Sequence, residues 1–215
     1  MLEWDIATVF RKYPGIIYGY ANLIYSKYGK KYASALVFAV PYYQRFTLHN
    51  YSEMAFEEAI NQAKKIVNEL QGELIVVLNN HNIKYTITPI GQKDEENLLA
   101  PFSFKYAAVK AGLGWIGKNN LLITEQYGPQ QRLGTILIDY IAKDYGISKL
   151  SKCPNECNRC VDICPYHAIK GTEWHPKIKR EEMIDYQLCN KERSKFIEKH
   201  GRKNACGLCM SVCPL

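Results

Sequence analysis

The sequence predicts an α/β (α+β) amino-terminal domain followed by a small cysteine-rich domain. The chain has 215 residues, a length that suits one domain with a smaller second one. Apolar residues make up 47% and charged residues 23% of the chain, which is typical of globular proteins and excludes a disordered or fibrous chain. None of the eight cysteines precedes Cys153. We therefore place the two predicted domains at residues 1–148 and 149–215.

Apolar patterns in the first domain predict alternating strands and helices. Residues 34–40 form a short apolar run closed by Pro41, which indicates a buried strand. A helix should follow a cap at Asn50 or Ser52, because an apolar stripe then recurs at spacings of four and three residues: Phe56, Ile60, Ala63, Val67 and Leu70. Gly72 ends or weakens this helix, and residues 74–78 could continue it.

The remaining elements of the first domain are shorter. Polar and apolar residues alternate over 83–88, which predicts a half-exposed strand ending before Pro89. Residues 102–111 predict a helix with Gly112 as its carboxy-terminal cap. Residues 120–124 and 133–139 are expected to form two further strands.

The cellular compartment bears on the role of the cysteines. No apolar run approaches the eighteen or so residues of a membrane span, so we expect no membrane association. The first five residues include Glu3 and Asp5 and do not resemble a signal peptide. We therefore expect a cytoplasmic protein, in which thiols stay reduced and bind metal rather than form disulfides.

The cysteine spacing indicates iron–sulfur clusters. The bacterial ferredoxin pattern is C-x2-C-x2-C-x3-C-P, in which the fourth cysteine binds the other cluster. Two comparable runs, each ending in Cys-Pro, occur here: Cys153, Cys157, Cys160 and Cys164, then Cys206, Cys209 and Cys213, with Cys189 alone between them. This pattern predicts a ferredoxin-like domain with two [4Fe–4S] clusters. The crossing rule assigns Cys153, Cys157, Cys160 and Cys213 to one cluster and Cys164, Cys189, Cys206 and Cys209 to the other.

Zinc is the main alternative, because four-cysteine structural sites also use C-x2-C pairs. A zinc ribbon needs two separated pairs, however, and has no use for a third cysteine two residues further on or for the Cys-Pro pairs. Disulfides or unligated thiols are the remaining alternative.

A glycine-rich segment, Ala-Gly-Leu-Gly-Trp-Ile-Gly-Lys-Asn-Asn, occupies residues 111–120. Its three glycines allow positive φ angles and close approach to the backbone. The letters match a dinucleotide fingerprint, but the segment follows a predicted helix rather than a strand. It also lacks the spacing and the Ser or Thr of a P-loop. A tight connection between packed elements and a binding loop both remain open interpretations.

This segment, continued by Leu-Leu-Ile and followed by the double cysteine run, resembles the epoxyqueuosine reductase family. Those enzymes resemble reductive dehalogenases, in which a cobalamin-binding α/β domain receives electrons from two [4Fe–4S] clusters. The family also has a lone cysteine before its second run, which matches Cys189. The resemblance implies that cobalamin is a cofactor and that six residues border the corrinoid pocket: Gly112, Gly114, Trp115, Gly117, Lys118 and Asn119.

Two departures from the family bear on the substrate. The family has a catalytic aspartate in an Asp-Ser-Ala-Pro segment, and the corresponding position here is Leu98, which cannot exchange a proton. The catalytic residue therefore stays unassigned. The family's enzymes also continue into a helical-repeat region that grips tRNA, whereas this sequence ends at Leu215. We accordingly do not expect tRNA to be a partner.

The charge distribution has two interpretations. The chain has a net charge of +7, and residues 149–215 contribute 13 basic and 8 acidic side chains. Two clusters on eight thiolates would add about −4, so much of the basic excess balances the clusters. Residues 177–182 and 191–203 could be solvated helix faces or a docking patch for an acidic electron donor. The sixteen tyrosines are too scattered to indicate a nucleic-acid surface, and the five histidines lack ligand spacing.

The sequence therefore predicts an iron–sulfur oxidoreductase in which two clusters pass low-potential electrons to a corrinoid or another redox cofactor or substrate. Its expected partners are a redox donor protein or small-molecule reductant and a small-molecule or corrinoid substrate. The alternative is a non-catalytic, ferredoxin-type electron carrier or corrinoid reductase that acts on a partner protein. Clusters with a purely structural role are a third possibility.

Overall fold

The computed structural model describes residues 1–88, 100–148, 150–194 and 206–215. Its α-helices are α1 (Leu2–Arg11), α2 (Glu53–Asn80), α3 (Phe104–Lys110), α4 (Arg159–Asp162), α5 (Arg180–Met183), α6 (Tyr186–Ser194) and α7 (Leu208–Ser211). Its strands are β1 (Ile17–Asn22), β2 (Ser34–Pro41), β3 (Tyr85–Thr86), β4 (Trp115–Ile116), β5 (Leu122–Ile123) and β6 (Gln131–Ile138). The mixture of helices and sheets confirms the predicted fold class.

The chain divides into two compact units, each built from three segments. The sheet unit comprises Met1–Pro41, Ala63–Leu113 and Gln131–Lys149. The cysteine unit comprises Tyr42–Gln62, Gly114–Gln130 and Leu150–Leu215. The predicted domain boundary at residue 148 stays a prediction. The compact units divide the chain differently, since Tyr42–Gln62 and Gly114–Gln130 belong to the same unit as the cysteines.

An antiparallel sheet with strand order β1-β2-β6-β3 forms the core of the sheet unit. Strand β2 lies at its centre, and its residues from Ser34 to Val40 are buried, as the apolar run predicted. Gly134 of β6 pairs with Phe38 of β2, and the Phe38 ring occupies the space that a side chain at Gly134 would need. Close packing of this kind explains a glycine inside a strand.

Two helices, α1 and α2, bury apolar stripes. Helix α1 buries four residues at helical spacing: Leu2, Ile6, Val9 and Phe10. Helix α2 continues through Gly72, where a Cβ atom would meet nothing within 4 Å. The predicted stripe of α2 is correct except at Ile60, which is half-buried, while the neighbouring Ala59 is fully buried. Helix packing thus outweighs the low helix propensity of one glycine.

Several predicted elements are shorter than expected. The strand predicted at 83–88 is reduced to β3, and the strand predicted at 120–124 is reduced to β5. Asn120 has a φ of 57°, which lies outside the extended region and prevents a strand from starting there. Helix α3 begins after Ser103, whose hydroxyl accepts a hydrogen bond from the Tyr106 amide, and Gly112 with φ 72° follows its end.

The cysteine unit contains a β4–β5 hairpin and small apolar clusters. Strands β4 and β5 pair antiparallel. Phe56 is fully buried and its ring contacts three other aromatic rings, those of Tyr42, Phe46 and Tyr51. Among the helices that the structure describes, none has the length and apolar character needed to cross a membrane.

Candidate metal centre

The two cysteine runs fold into the same local structure. Helix α4 contains Cys160, and helix α7 contains Cys209. In both runs the last cysteine donates its amide hydrogen to the carbonyl oxygen three residues earlier, at 3.2 Å for Cys164 and for Cys213. The spacings of two and three residues therefore correspond to one helical turn followed by a tight turn, which brings the cysteines of each run together.

Electrostatic interactions among the thiols gather the cysteines mainly into two groups. The first group centres on Cys160, on which Cys153, Cys157 and Cys213 act. The second group contains Cys164, Cys189, Cys206 and Cys209, which act on one another, and Cys160 of the first group also acts on Cys209. All eight cysteines lie in the described part of the chain, and no disulfide joins any two of them. Apart from the interaction of Cys160 with Cys209, these groups correspond to the predicted ligand sets, and the assignment of ligands stays a prediction.

Burial makes these thiols harder to ionise. It raises the pKa of Cys160 to about 11, and the negative charges of the three neighbouring cysteines contribute further. Burial is also the largest cause of the raised pKa of Cys189, Cys206, Cys209 and Cys213. Thiolates gathered in a half-buried space need a compensating positive charge. An iron–sulfur core supplies such a charge, so the chemistry of the donor set fits the clusters.

Each group of cysteines has its own surroundings. The four thiols of the first group line one cavity together with Lys118, Asn119 and Arg159. In the second group, Cys164 forms a small apolar core with Ala168, Ile169 and Ile184, and Cys189 and Cys209 pack against it, as does Cys160 of the first group. Within the described residues, no three Cys, His, Asp or Glu side chains converge closely enough to hold a single metal ion. In a cubane each thiolate binds a separate iron, which requires a wider arrangement.

The glycines of the segment 111–120 allow close packing. Gly112 belongs to the sheet unit, and Gly114 and Gly117 belong to the cysteine unit. A Cβ atom at Gly114 would overlap the carbonyl oxygen of Ile123, and one at Gly117 would lie 2.8 Å from Ile123 Cγ1. Strands β4 and β5 could not approach so closely with larger residues. The structure thus gives these glycines a packing role, and their predicted corrinoid contact stays a prediction.

Lys118 holds the loop of the first cysteine run. The side chain is 7% exposed, and its Nζ donates hydrogen bonds to three carbonyl oxygens: Pro154 at 3.2 Å, Asn155 at 2.8 Å and Cys157 at 3.1 Å. Three donated bonds use all the hydrogens of an ammonium group. The positive charge of Lys118 therefore lies beside the loop between Cys153 and Cys157.

Asn119 holds the second cysteine run. Its side chain is 4% exposed, and Nδ2 donates a hydrogen bond to the carbonyl oxygen of Cys209 at 3.3 Å. Its Oδ1 accepts a hydrogen bond from the Leu121 amide at 3.2 Å. The adjacent Trp115 is also buried, but its Nε1 finds no hydrogen-bond partner among the described residues. Of the six residues predicted to border a corrinoid, Trp115 therefore offers a buried donor without a partner in the part of the chain that the structure describes.

Sequence reasoning missed three further residues that support the cysteine loops. Gln130 accepts from the Phe46 amide at 2.7 Å and donates to carbonyl oxygens of Phe46 and Met210 at 2.8 and 3.3 Å. The Tyr51 hydroxyl donates to the carbonyl oxygen of Cys206, and Arg45 donates to the last two carbonyl groups of the chain. These contacts span 80 or more residues, so no local sequence signal identifies them.

The comparisons with known proteins agree with this geometry. The family described as "4Fe-4S double cluster binding domain" matches residues 152–215. An epoxyqueuosine reductase from Lactococcus garvieae is 31% identical over 117 residues, which cover 50% of this chain and 30% of that protein. A tetrachloroethene reductive dehalogenase from Dehalobacter restrictus is 35% identical over 106 residues, which cover 46% of this chain and 18% of that protein. The chain thus covers less than a third of the length of these two relatives.

A solved structure extends the likeness to the whole chain. It is the crystal structure of an epoxyqueuosine reductase with an epoxyqueuosine-modified tRNA-Tyr stem loop, and it covers 99% of this chain and 64% of the other at a TM-score of 0.64. At 16% identity, this likeness concerns the fold. Residues 152–215 therefore match a 4Fe-4S double cluster binding domain, and about half of the chain is similar to epoxyqueuosine reductases and reductive dehalogenases.

Proposed function

We propose that this protein is an oxidoreductase in which two [4Fe–4S] clusters pass electrons, one at a time, to a corrinoid or another redox cofactor or substrate bound by the same chain. The grouping of eight thiols into two sets of four carries the proposal. Cys153, Cys157, Cys160 and Cys213 would hold one cluster, and Cys164, Cys189, Cys206 and Cys209 would hold the other. Similarity to reductases and to a reductive dehalogenase supports redox chemistry.

Metal analysis of anaerobically purified protein tests the clusters. We expect about eight irons and eight sulfides per chain, because each cubane contains four of each. Cys160→Ser and Cys209→Ser should each lower the iron content to about four, since each removes a ligand from one group only. Met210→Leu is the matched control, because the hydrogen bonds of Met210 involve its backbone. Four or fewer irons in the unmodified protein would refute the assignment.

The second cofactor is a finer proposal. A corrinoid would supply a metal centre able to exchange single electrons with a cluster. Of the six residues implied to border it, Trp115 would contribute the buried Nε1 donor, and Gly112, Gly114 and Gly117 would permit close contact with the backbone. Cobalt analysis, together with the visible spectrum after anaerobic addition of cobalamin, tests binding. An unaltered cobalamin spectrum with intact clusters would exclude this cofactor.

The rival proposal is an electron carrier or corrinoid reductase that serves a partner protein. The engagement of Lys118 with the first cysteine loop favours it, because all three of its ammonium hydrogens are then used and none is left for a second cofactor. Leu98, which lies outside the described residues, stands where the family has its acid. If the Leu98→Asp variant reduces an epoxide, the protein is an enzyme of this kind that lacks only the catalytic acid. If the variant stays inactive although its clusters are loaded, the result favours the electron carrier.

The partner of the reaction is also open to test. A related crystal structure contains a tRNA-Tyr stem loop. Our prediction that tRNA is not a partner of this chain can be tested by filter binding with the same kind of stem loop. Retention at micromolar protein and physiological salt would overturn that prediction.

A further inference from the structure

The buried charge of Lys118 has no acidic partner in the described part of the chain. No carboxylate there lies within 4 Å of its Nζ, and its three hydrogen bonds end on neutral carbonyl groups. Burying an uncompensated cation is costly, so such a residue is expected to face a negative group. Lys118 lines the cavity of the first cysteine group, where four thiolates on a core of charge +2 would carry about −2.

The second cysteine group has less polar surroundings. Cys164 belongs to a small apolar core with Ala168, Ile169 and Ile184, against which Cys189 and Cys209 pack. The basic side chains of Lys118 and Arg159 instead line the cavity of the first group. A nearby positive charge stabilises an added electron, whereas apolar surroundings do not. The two groups therefore differ in their electrostatic preference for reduction.

We propose that Lys118 positions the loop between Cys153 and Cys157 and gives the cluster of the first group the higher reduction potential. This inference rests on the proposed assignment of the clusters. Reduction adds one electron and makes the cluster more negative, and the nearby ammonium stabilises that state. With both clusters bound, an electron on the second would then pass favourably to the first. Lys118 would thus set the direction of transfer and make the first cluster the exit.

Two variants and a matched control test the inference on the full-length protein. Lys118→Met removes the charge and the hydrogen bonds, and Lys118→Arg retains a charge and donors. Lys152→Met is the control, because Lys152 adjoins Cys153 but is exposed and pairs with Glu125 at 2.5 Å. Anaerobic redox titration with dithionite, followed by EPR spectroscopy, measures the two midpoint potentials, and iron analysis measures loading.

In Lys118→Met we expect the reduction equilibrium of one cluster to become about tenfold less favourable, about 59 mV for one electron, while the other cluster is unchanged. If Lys118→Met instead loses about four irons and Lys118→Arg retains them, the result supports the positioning role of Lys118. Unchanged potentials at full iron content overturn the proposal. An equal shift of potential or an equal loss of iron at both clusters also overturns it, and so does a shift of the same size in Lys152→Met. If the unmodified protein binds no pair of clusters, the proposed function itself has failed.

Discussion

Replacing Gly207 with alanine should destabilise the cysteine unit strongly. Gly207 follows Cys206 and has a φ of 73°, a left-handed conformation that costs a residue with a Cβ atom about 1–2 kcal/mol. The added Cβ would also lie 2.5 Å from Cδ1 and Cζ of Phe56, whose ring is fully buried. Overpacking of this kind costs about 1–3 kcal/mol. Together the two effects amount to about 2–5 kcal/mol.

Gly72→Ala provides a control of opposite sign. Gly72 lies within α2, and a Cβ atom there meets nothing within 4 Å. Alanine removes the conformational entropy cost of a helical glycine and should stabilise the protein by about 0.5–1 kcal/mol. Thermal unfolding of anaerobic, iron-loaded protein should show a fall of about 4–20 °C for Gly207→Ala and a rise of about 1–4 °C for Gly72→Ala.

A double variant separates the two costs at Gly207. Phe56→Leu should make the alanine less disruptive, so that the double variant is more stable than the two separate losses imply, while the φ cost remains. Iron bound to the second cysteine group should fall in Gly207→Ala and partly return in the double variant. A Gly207→Ala protein that unfolds at the wild-type temperature with full iron content would refute this reasoning.

Three further perturbations test other parts of the structure. A hydrogen bond to Glu73 at 2.6 Å is the main reason that the pKa of Tyr13 rises to about 12. The contribution of this bond to stability is therefore complete below pH 10 and is lost as the pH rises through 12. The difference in tyrosinate absorbance between wild type and Tyr13→Phe should titrate near pH 12, and a midpoint near 10 would contradict this prediction. Hydrogen bonds from Lys12 and Tyr13 lower the pKa of Glu73, so Glu73→Gln should cost up to about 1 kcal/mol at pH 7. The cost should disappear as the pH falls through the lowered pKa of Glu73, and urea unfolding at pH 7 and in acid would show whether it does. Gln130→Leu removes bonds to both backbone groups of Phe46 and should cost about 1–3 kcal/mol and increase the rate of iron loss to a chelator, whereas an unchanged rate would show that Gln130 does not support the cysteine loops.

Much of the fold could be predicted wherever the sequence pattern is local. The apolar run of β2 is long enough to identify a central strand. The stripe of α2 identifies a helix because its periodicity persists beyond Gly72. The stripe Leu2, Ile6, Val9 and Phe10 of α1 has the same periodicity and could have been recognised. Strand β1 was not predicted, because a glycine, Gly19, interrupts its apolar pattern. Only the folded structure explains this glycine, since a Cβ atom there would lie 2.7 Å from the carbonyl oxygen of the distant Ala111.

The candidate site shows the same division between local and distant signals. The cysteine spacings encode a single helical turn each, so the sequence predicts both the clusters and the grouping of the thiols. The contacts of Lys118 and Asn119 depend on which loops tertiary folding brings to them. Family resemblance indicated these two residues for a different reason, the border of a corrinoid pocket. Residue type alone could not have revealed that their hydrogen bonds go to the cysteine loops.

Under the proposed cluster assignment, the adjacency of Lys118 and Asn119 has a consequence for electron transfer. One peptide unit joins the residue that holds the first cysteine run to the residue that holds the second, and its two Cα atoms are about 3.8 Å apart. The peptide therefore acts as a covalent spacer that limits how far the runs can drift apart during thermal motion. Because the tunnelling rate falls steeply with distance, this spacer would keep the rate between the clusters nearly constant while the surrounding loops fluctuate.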